Sequence, residues 1–138
     1  IKKWTRDFLQ IKIPFGELKM RRYPRRDGSA LLLISTQNGQ TSTLSCWDLL
    51  ADGSIHHLSR DSVFPRIEAA DFFEDPEDAK LAVSRFGEPS TSSFFSIESD
   101  FEVEVFYPQP NEELEPTHIV TFPWFEHGFG LSREPALP

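Results

Sequence analysis

The stretch ALLLISTQNGQTSTLSCWDLL, residues 30–50, carries the strongest fold signal in this chain of 138 residues. Two apolar runs flank Asn38-Gly39, a pair that favours the two-residue turn of a β-hairpin because both residues accept positive φ. With this pair at the centre of the turn, Ile34 lies opposite Thr43. The stretch therefore predicts two long antiparallel strands.

A second turn signal, Asp52-Gly53, follows at once and returns the chain as another strand. In the register that we predict for this turn, Asp48 lies opposite His57. Upstream, FLQIKIPF at residues 8–15 alternates apolar and polar side chains, the pattern of a half-buried strand. Together these segments predict an N-terminal antiparallel meander.

A helix is predicted over residues 76–86. Asp75 is a suitable N-cap, Pro76 fits the first helical position, and Gly87 fits the C-terminal cap. Beyond the helix, apolar residues return at every second position from 95 to 107 except at Ser99, which indicates one strand bent near Ser99 or two short ones.

Strands, then a helix, then strands predict one α+β domain over residues 1–138. We expect a mainly antiparallel, curved sheet of about seven strands packed on one main helix, because a chain of this size buries one core. A small β-barrel with a helix is the alternative architecture. Residues 131–138 are expected to form a flexible tail.

Composition narrows the class of protein. Apolar residues make up 38% and charged residues 26% of the chain, as in ordinary globular domains. No apolar run approaches the length of a membrane helix, and the N-terminal residues lack the apolar stretch of a signal peptide. The single cysteine, Cys46, cannot form an intramolecular disulfide. We expect a soluble, cytoplasmic protein that does not contact membranes.

The segment KMRRYPRR, residues 19–26, concentrates five positive charges in a chain of formal net charge -8. Residues 1–66 contain 11 basic and 6 acidic residues, whereas residues 67–138 contain 3 and 16. We therefore predict that the basic segment meets carboxylates of the C-terminal half, within the chain or across a two-fold interface. The predicted interface residues are Arg21, Arg22, Arg25, Arg26, Glu102 and Glu104.

The same charge distribution argues against a nucleic-acid partner. Affinity for nucleic acid comes from neutralising phosphates, and the strongly acidic C-terminal half opposes that attraction. Only Tyr23 interrupts the basic segment as a base-stacking side chain.

The candidates for catalysis are His57, Asp48 and Cys46. A carboxylate beside an imidazole raises the pKa of the ring and fixes its tautomer, and a nearby thiolate is a nucleophile. A one-residue change in the turn would separate the pair, and no independent motif supports catalysis. The four histidines show no zinc-motif spacing, so the sequence predicts neither a metal nor a cofactor.

Aromatic residues cluster in TFPWFEHGFG, residues 121–130. This segment either closes over the core or projects as an anchor for a partner or the mouth of a ligand pocket. The predicted binding residues are Trp47, Tyr107, Trp124, Phe125 and His127.

These observations favour a small acidic protein that acts by association, as a homo-oligomer, with a dimer favoured, and with a further protein partner. No catalysis is inferred. The alternative is a small-molecule binding protein or small enzyme. Its pocket would lie between the sheet and the helix and use Asp48 and His57.

Overall fold

The computed structural model describes residues 3–39, 41–107 and 115–135. Its first sheet, sheet 1, contains β1 (Lys3–Trp4), β2 (Phe8–Ile13), β3 (Gly16–Pro24), β4 (Ala30–Asn38), β5 (Thr41–Leu49) and β6 (Ile55–Leu58). The second, sheet 2, contains β7 (Phe94–Ser96), β8 (Glu102–Phe106), β9 (His118–Phe125), β10 (Gly128–Phe129) and β11 (Ser132–Pro135). Between β6 and β7 the chain forms four short helical segments. They are α1 (Arg60–Val63), a 3-10 turn (Ala69–Asp71), α2 (Pro76–Phe86) and α3 (Pro89–Ser92).

The α+β class with antiparallel sheets is confirmed. In sheet 1 each strand pairs with the next in sequence, so the predicted N-terminal meander is present. In sheet 2 the order is β10-β9-β8-β7, and β11 also pairs with β9. The expectation of one sheet was too simple, because the chain leaves sheet 1 after β6 and builds a separate sheet. Within the described residues no pairing joins β1 to β6, so sheet 1 is open and does not close into a barrel.

The hairpin between β4 and β5 forms with a register two residues away from the predicted one. Asn38 pairs with Thr41, so Gly39, at φ 65°, lies inside the turn and Asn38 ends the strand. Ile34 consequently lies opposite Ser45 instead of Thr43. A shift of two residues keeps every side chain on its original face, because side chains alternate with period two.

The turn between β5 and β6 differs from the prediction by one residue. Leu49 pairs with Ile55, which leaves a five-residue loop. Within it Leu50 N–H donates to the Ser54 carbonyl at 2.9 Å, and the Asp52 carboxylate accepts from the Ser54 backbone N–H at 2.8 Å. Gly53 supplies the positive φ of 88°. The loop between β3 and β4 repeats the same Asp-Gly-Ser turn at residues 27–29.

The helix over Pro76–Phe86 is confirmed. The Asp75 side chain accepts a hydrogen bond from the Glu77 backbone N–H at 2.9 Å, as expected of an N-cap. No helix within the described ranges is long and apolar enough to cross a membrane.

The core lies between the inner face of sheet 1, the helical segments and sheet 2. Its largest fully buried side chains include Tyr23, Leu33, Phe72, Ile97 and Phe122. Burial of each such side chain contributes about 1.5–3 kcal/mol, so this shared layer holds the two sheets together.

The predicted flexible tail is partly ordered. Ser132–Pro135 form β11, which pairs with β9, and Arg133 forms an ion pair with Asp71 at 3.1 Å. These contacts tie the segment to the domain although its composition is typical of a tail. Residues 136–138 lie outside the described residues.

Candidate interaction surfaces

Sheet 1 has two apolar faces, and the described residues cover only its inner face. Tyr23, Leu31, Leu33 and Cys46, the sheet 1 residues of the central core cluster, all lie on the inner face. Side chains alternate between the two faces of a strand, so the residues between these four, with their cross-strand partners, form a separate outer face. The helices and sheet 2 therefore pack on one side of the meander.

The outer face of sheet 1 consists of consecutive cross-strand rows. One row contains Leu9, Met20, Ile34 and Ser45, a second contains Ile11, Leu18, Thr36 and Thr43, and a third contains Arg22, Leu32, Trp47 and His57. A fourth row pairs Ala30 with Leu49 and Ile55. The large apolar side chains of these rows are half-buried, and Ile55 is 53% exposed. No second layer covers this face in the part of the chain that the structure describes.

Polar groups on the outer face are largely satisfied there. The Trp47 indole N–H donates to the Ser45 hydroxyl at 3.0 Å, and the hydroxyls of Thr36 and Thr43 bond each other. Arg22 forms an ion pair with Asp7 at 2.8 Å at the rim. Desolvating this surface would therefore leave few polar groups without partners.

The basic segment meets its counter-charges within the chain. Arg21 is only 3% exposed, and its Nε donates to the Ile97 carbonyl at 2.5 Å and its Nη2 to the Glu98 carbonyl at 2.6 Å. Its Nη1 forms an ion pair with Asp100, and the guanidinium lies 4.2 Å from the ring centroid of Phe8. Arg21 thus joins sheet 1 to the segment that precedes β8.

The other cations of the segment are also paired. The pairs are Lys19 with Glu98 at 2.7 Å, Arg22 with Asp7 at 2.8 Å, Arg25 with Asp48, and Arg26 with Glu126 at 2.9 Å. Carboxylates of the C-terminal half therefore meet three of the five cations, as predicted, but through different residues.

The structure places three of the predicted interface residues, Glu102, Glu104 and Arg21, differently from the prediction. Glu102 and Glu104 form no ion pair with Arg21, because they lie on the side of β8 opposite the buried Val103 and Val105, whereas Arg21 is buried. Arg21 itself is buried and is therefore not available to another copy.

The predicted Asp48–His57 pair does not form. Asp48 lies opposite His56, and the one-residue difference places His57 on the outer face against Trp47, with ring centroids 4.8 Å apart. Asp48 binds Arg25 instead. Cys46 shares the face of Asp48, but burial raises its thiol pKa to about 11, so the thiol is protonated at neutral pH and is a poor nucleophile.

The five predicted binding residues do not line one pocket. Trp47 lies on the outer face of sheet 1, whereas Trp124 packs on the inner side against Tyr23, with ring centroids 5.3 Å apart. Tyr107 is buried and donates to the Gly87 carbonyl. Phe125, the last residue of β9, and His127, in the turn that follows it, are exposed. The aromatic C-terminal segment therefore mainly closes the core, and Phe125 projects.

A groove of about 340 Å³ does open between α1 and sheet 2, and Arg60, Phe64 and Phe95 line it. Arg60 covers the Phe95 ring at 4.8 Å and donates to the Ser90 carbonyl at 3.0 Å, so its polar group is already engaged. Among the described residues no group of three or more His, Cys, Asp or Glu side chains could hold a metal ion.

No protein-family model and no curated protein matches the sequence. A similar fold occurs in the solved structure of a domain of an uncharacterized protein from Porphyromonas gingivalis W83. The alignment has a TM-score of 0.57 and 20% identity, and it covers 92% of this chain and 71% of that chain. At this identity the likeness shows the fold alone.

The outer face of sheet 1 was not singled out from the sequence, although a signal for it exists. Residues 30–34, ALLLI, are apolar without interruption. Such a run is typical of a strand that is covered on both faces. Among the residues that the structure describes, only one face of β4 is covered.

Proposed function

We propose that this protein acts by association and that two copies pack the outer faces of sheet 1 against each other. The observation that carries the proposal is the apolar run of β4. Leu31 and Leu33 are buried in the core, at 2% and 0% exposed, whereas Leu32 and Ile34 lie on the uncovered side. A second copy would cover them.

The chemistry of the outer face fits a copy of itself. A two-fold interface brings the same patch together from both chains, so the patch must be self-complementary. An apolar face with satisfied hydroxyls meets that requirement, and the ion pair of Arg22 with Asp7 lies at its rim. Two such sheets would stack about 10 Å apart with strands crossing at about 30°.

The size of the face is sufficient for a dimer. Four strands spaced about 4.8 Å apart and four rows spaced about 6.8 Å apart give a footprint of roughly 500 Å² on each copy. Two copies then bury about 1,000 Å² before the rim is counted, which reaches the lower limit of specific interfaces.

The salt dependence of dimerisation distinguishes this apolar interface from an interface held by ion pairs. The formal net charge is -8, so two copies repel each other, and the apolar contact must exceed that repulsion. Added salt screens the repulsion, because the Debye length falls from about 30 Å at 0.01 M to about 3 Å at 1 M. An apolar dimer should therefore tighten as salt is added, whereas one held by ion pairs should weaken.

The test is sedimentation equilibrium of the wild type and of Leu32→Glu from low to high salt. Each copy loses a buried leucine, worth about 1.5 kcal/mol or more, so the symmetric dimer should weaken more than about a hundredfold. Leu81→Glu is the matched control, because Leu81 is 39% exposed on α2, away from sheet 1. We expect it to leave the dimer unchanged.

Thermal melts of both variants verify that they fold, since neither side chain belongs to the central core cluster. A wild type that stays monomeric across the salt range contradicts the proposal. So does a dimer that Leu32→Glu leaves intact, because another surface would then hold the two copies.

A further inference from the structure

Sheet 2 also has a face that no other element covers within residues 3–39, 41–107 and 115–135. In β8, Val103 and Val105 point into the core at 0% and 4% exposed, so Glu102, Glu104 and Phe106 point outward. This alternation is that of a strand with one buried face. We call the outward side the outer face of sheet 2.

Three large apolar side chains lie on this face. Phe94 pairs with Phe106 across β7 and β8, and Ile119 follows on β9. They are 47%, 46% and 43% exposed, respectively. Grouped apolar side chains with this much exposure indicate an interaction site, whereas single ones are ordinary on protein surfaces.

Carboxylates lie beside the apolar group. Glu102, Glu104 and Glu134 line a groove of about 300 Å³ whose walls include Ile119 and Pro123. A neighbouring groove of about 330 Å³ contains Phe94 and Phe106, and Glu104 and Ile119 line both grooves. The aromatic and acidic parts thus form one continuous surface.

In the described part of the chain the carboxylates of this surface have no lysine or arginine beside them in the grooves, although His118 lines the groove that contains Phe94 and Phe106. Lys19 reaches the edge near Phe94, where it pairs with Glu98 at 2.7 Å. Arg133 of β11 pairs with Asp71 at 3.1 Å. A cationic segment of another molecule would supply the charge that complements this face.

We infer that the outer face of sheet 2 binds a cationic segment of a partner protein in which lysine or arginine stands next to aromatic or aliphatic residues. The carboxylates attract the cations, and the exposed rings accept both apolar side chains and arginine by cation–π contact. Nucleic acid and anionic lipid are repelled by the same carboxylates. This inference does not depend on the dimer, because it concerns the other sheet.

The probe is the synthetic peptide KFRLKFRL with a fluorescent label, titrated with the full chain in an anisotropy assay. Two companion peptides separate the contribution of charge to binding from that of the apolar side chains. KSRSKSRS keeps the charge without the apolar side chains, and EFELEFEL reverses the charge. We expect saturable binding of the first, at least about tenfold weaker binding of the second, and none of the third.

The double variant Glu102→Gln/Glu104→Gln locates the site. Two exposed ion pairs are lost, so affinity for KFRLKFRL should fall by about three- to thirtyfold and depend less on salt. Glu74→Gln/Glu77→Gln removes the same charge from exposed positions outside the grooves and should leave affinity unchanged. Both changes preserve side-chain shape on the surface, and thermal melts verify folding.

Three results would overturn the inference. The first is no saturable binding of KFRLKFRL. The second is equal loss of affinity in both double variants, which would show attraction to the net negative charge of the whole chain. The third is unchanged affinity in Glu102→Gln/Glu104→Gln, which would place the peptide elsewhere.

Discussion

Arg21 Nη2 donates to the backbone carbonyl of Glu98 at 2.6 Å, although 77 positions separate the two residues. The guanidinium also donates to Ile97, so one buried side chain satisfies two carbonyl groups of the segment between β7 and β8. A charged group this deeply buried persists because its donors are matched by acceptors. The opposite charges of the two halves of the chain therefore meet mainly to join sheet 1 to sheet 2.

Arg21→Met should destabilise the domain strongly. Methionine fills much of the same space but leaves the Ile97 and Glu98 carbonyls without donors, so we expect a loss of about 2–5 kcal/mol in free energy of unfolding. Urea denaturation measures it. Arg26→Met is the control, because its ion pair with Glu126 is exposed and contributes about 0–1 kcal/mol. Similar losses in both variants would contradict the special role of Arg21.

Gly16→Ala should also be destabilising. A Cβ at Gly16 would overlap the backbone carbonyl of Gln37 on the adjacent strand, and backbone cannot move aside as a flexible side chain does. We expect a loss of about 2–4 kcal/mol by urea denaturation. Gly128→Ala meets no atom within 4 Å and should change stability by less than about 0.5 kcal/mol. A neutral Gly16→Ala would show that β3 and β4 are less closely paired here.

The Cys46 thiol should be unreactive in the folded protein. It is fully buried, and burial raises its pKa to about 11. At pH 8 the thiolate fraction is on the order of one in a thousand, and reagent access is blocked as well. Labelling with a disulfide reagent should be slow in buffer and complete within minutes in urea. Rapid labelling without urea would indicate that the layer around Cys46 opens readily.

Stability should fall at alkaline pH. Burial raises the pKa of Cys46 from 9.0 to about 11 and that of Tyr23 above its ordinary value of 10.0. Both pKa values are higher in the folded state, so the associated stability is complete below about pH 9 and is lost as pH rises further. Urea denaturation from pH 7 to 11 should show this decline. A constant free energy of unfolding over that range would contradict the burial of both groups.

The sequence predicted local structure well where one short signal determines it. Asp75 and Gly87 bound the helix as expected, because caps act on adjacent backbone groups. The turn registers were predicted less accurately. The register at Asn38-Gly39 differs from the predicted one by two residues, so every side chain stays on its predicted face. The register at Asp52-Gly53 differs by one residue, which separates Asp48 from His57. An Asp-Gly pair fits loops of several lengths, and only the paired strands decide between them.

The interaction surfaces could not be located from alternation alone. Alternation in residues 8–15 places Leu9 and Ile11 on the apolar side of β2, yet Phe8, on the other side, is the residue that enters the core, at 3% exposed. Period-two patterning separates two faces without showing which one a second layer covers. That choice depends on where β8 and β9 fold back, which is a long-range property. The partners of Arg21 could not be predicted for the same reason, because they lie at residues 97–100, far from Arg21 in the sequence.

The consecutive pairing of β1 to β6 has a kinetic consequence. Each hairpin closes a short loop, so the meander can form strand by strand at little cost in chain entropy. The link from Arg21 to residues 97–100 must instead close a loop of more than 70 residues, which costs more chain entropy. We expect the meander to assemble early and the arginine to engage after the rate-limiting barrier. Arg21→Met should therefore accelerate unfolding in stopped-flow experiments while leaving the refolding rate nearly unchanged.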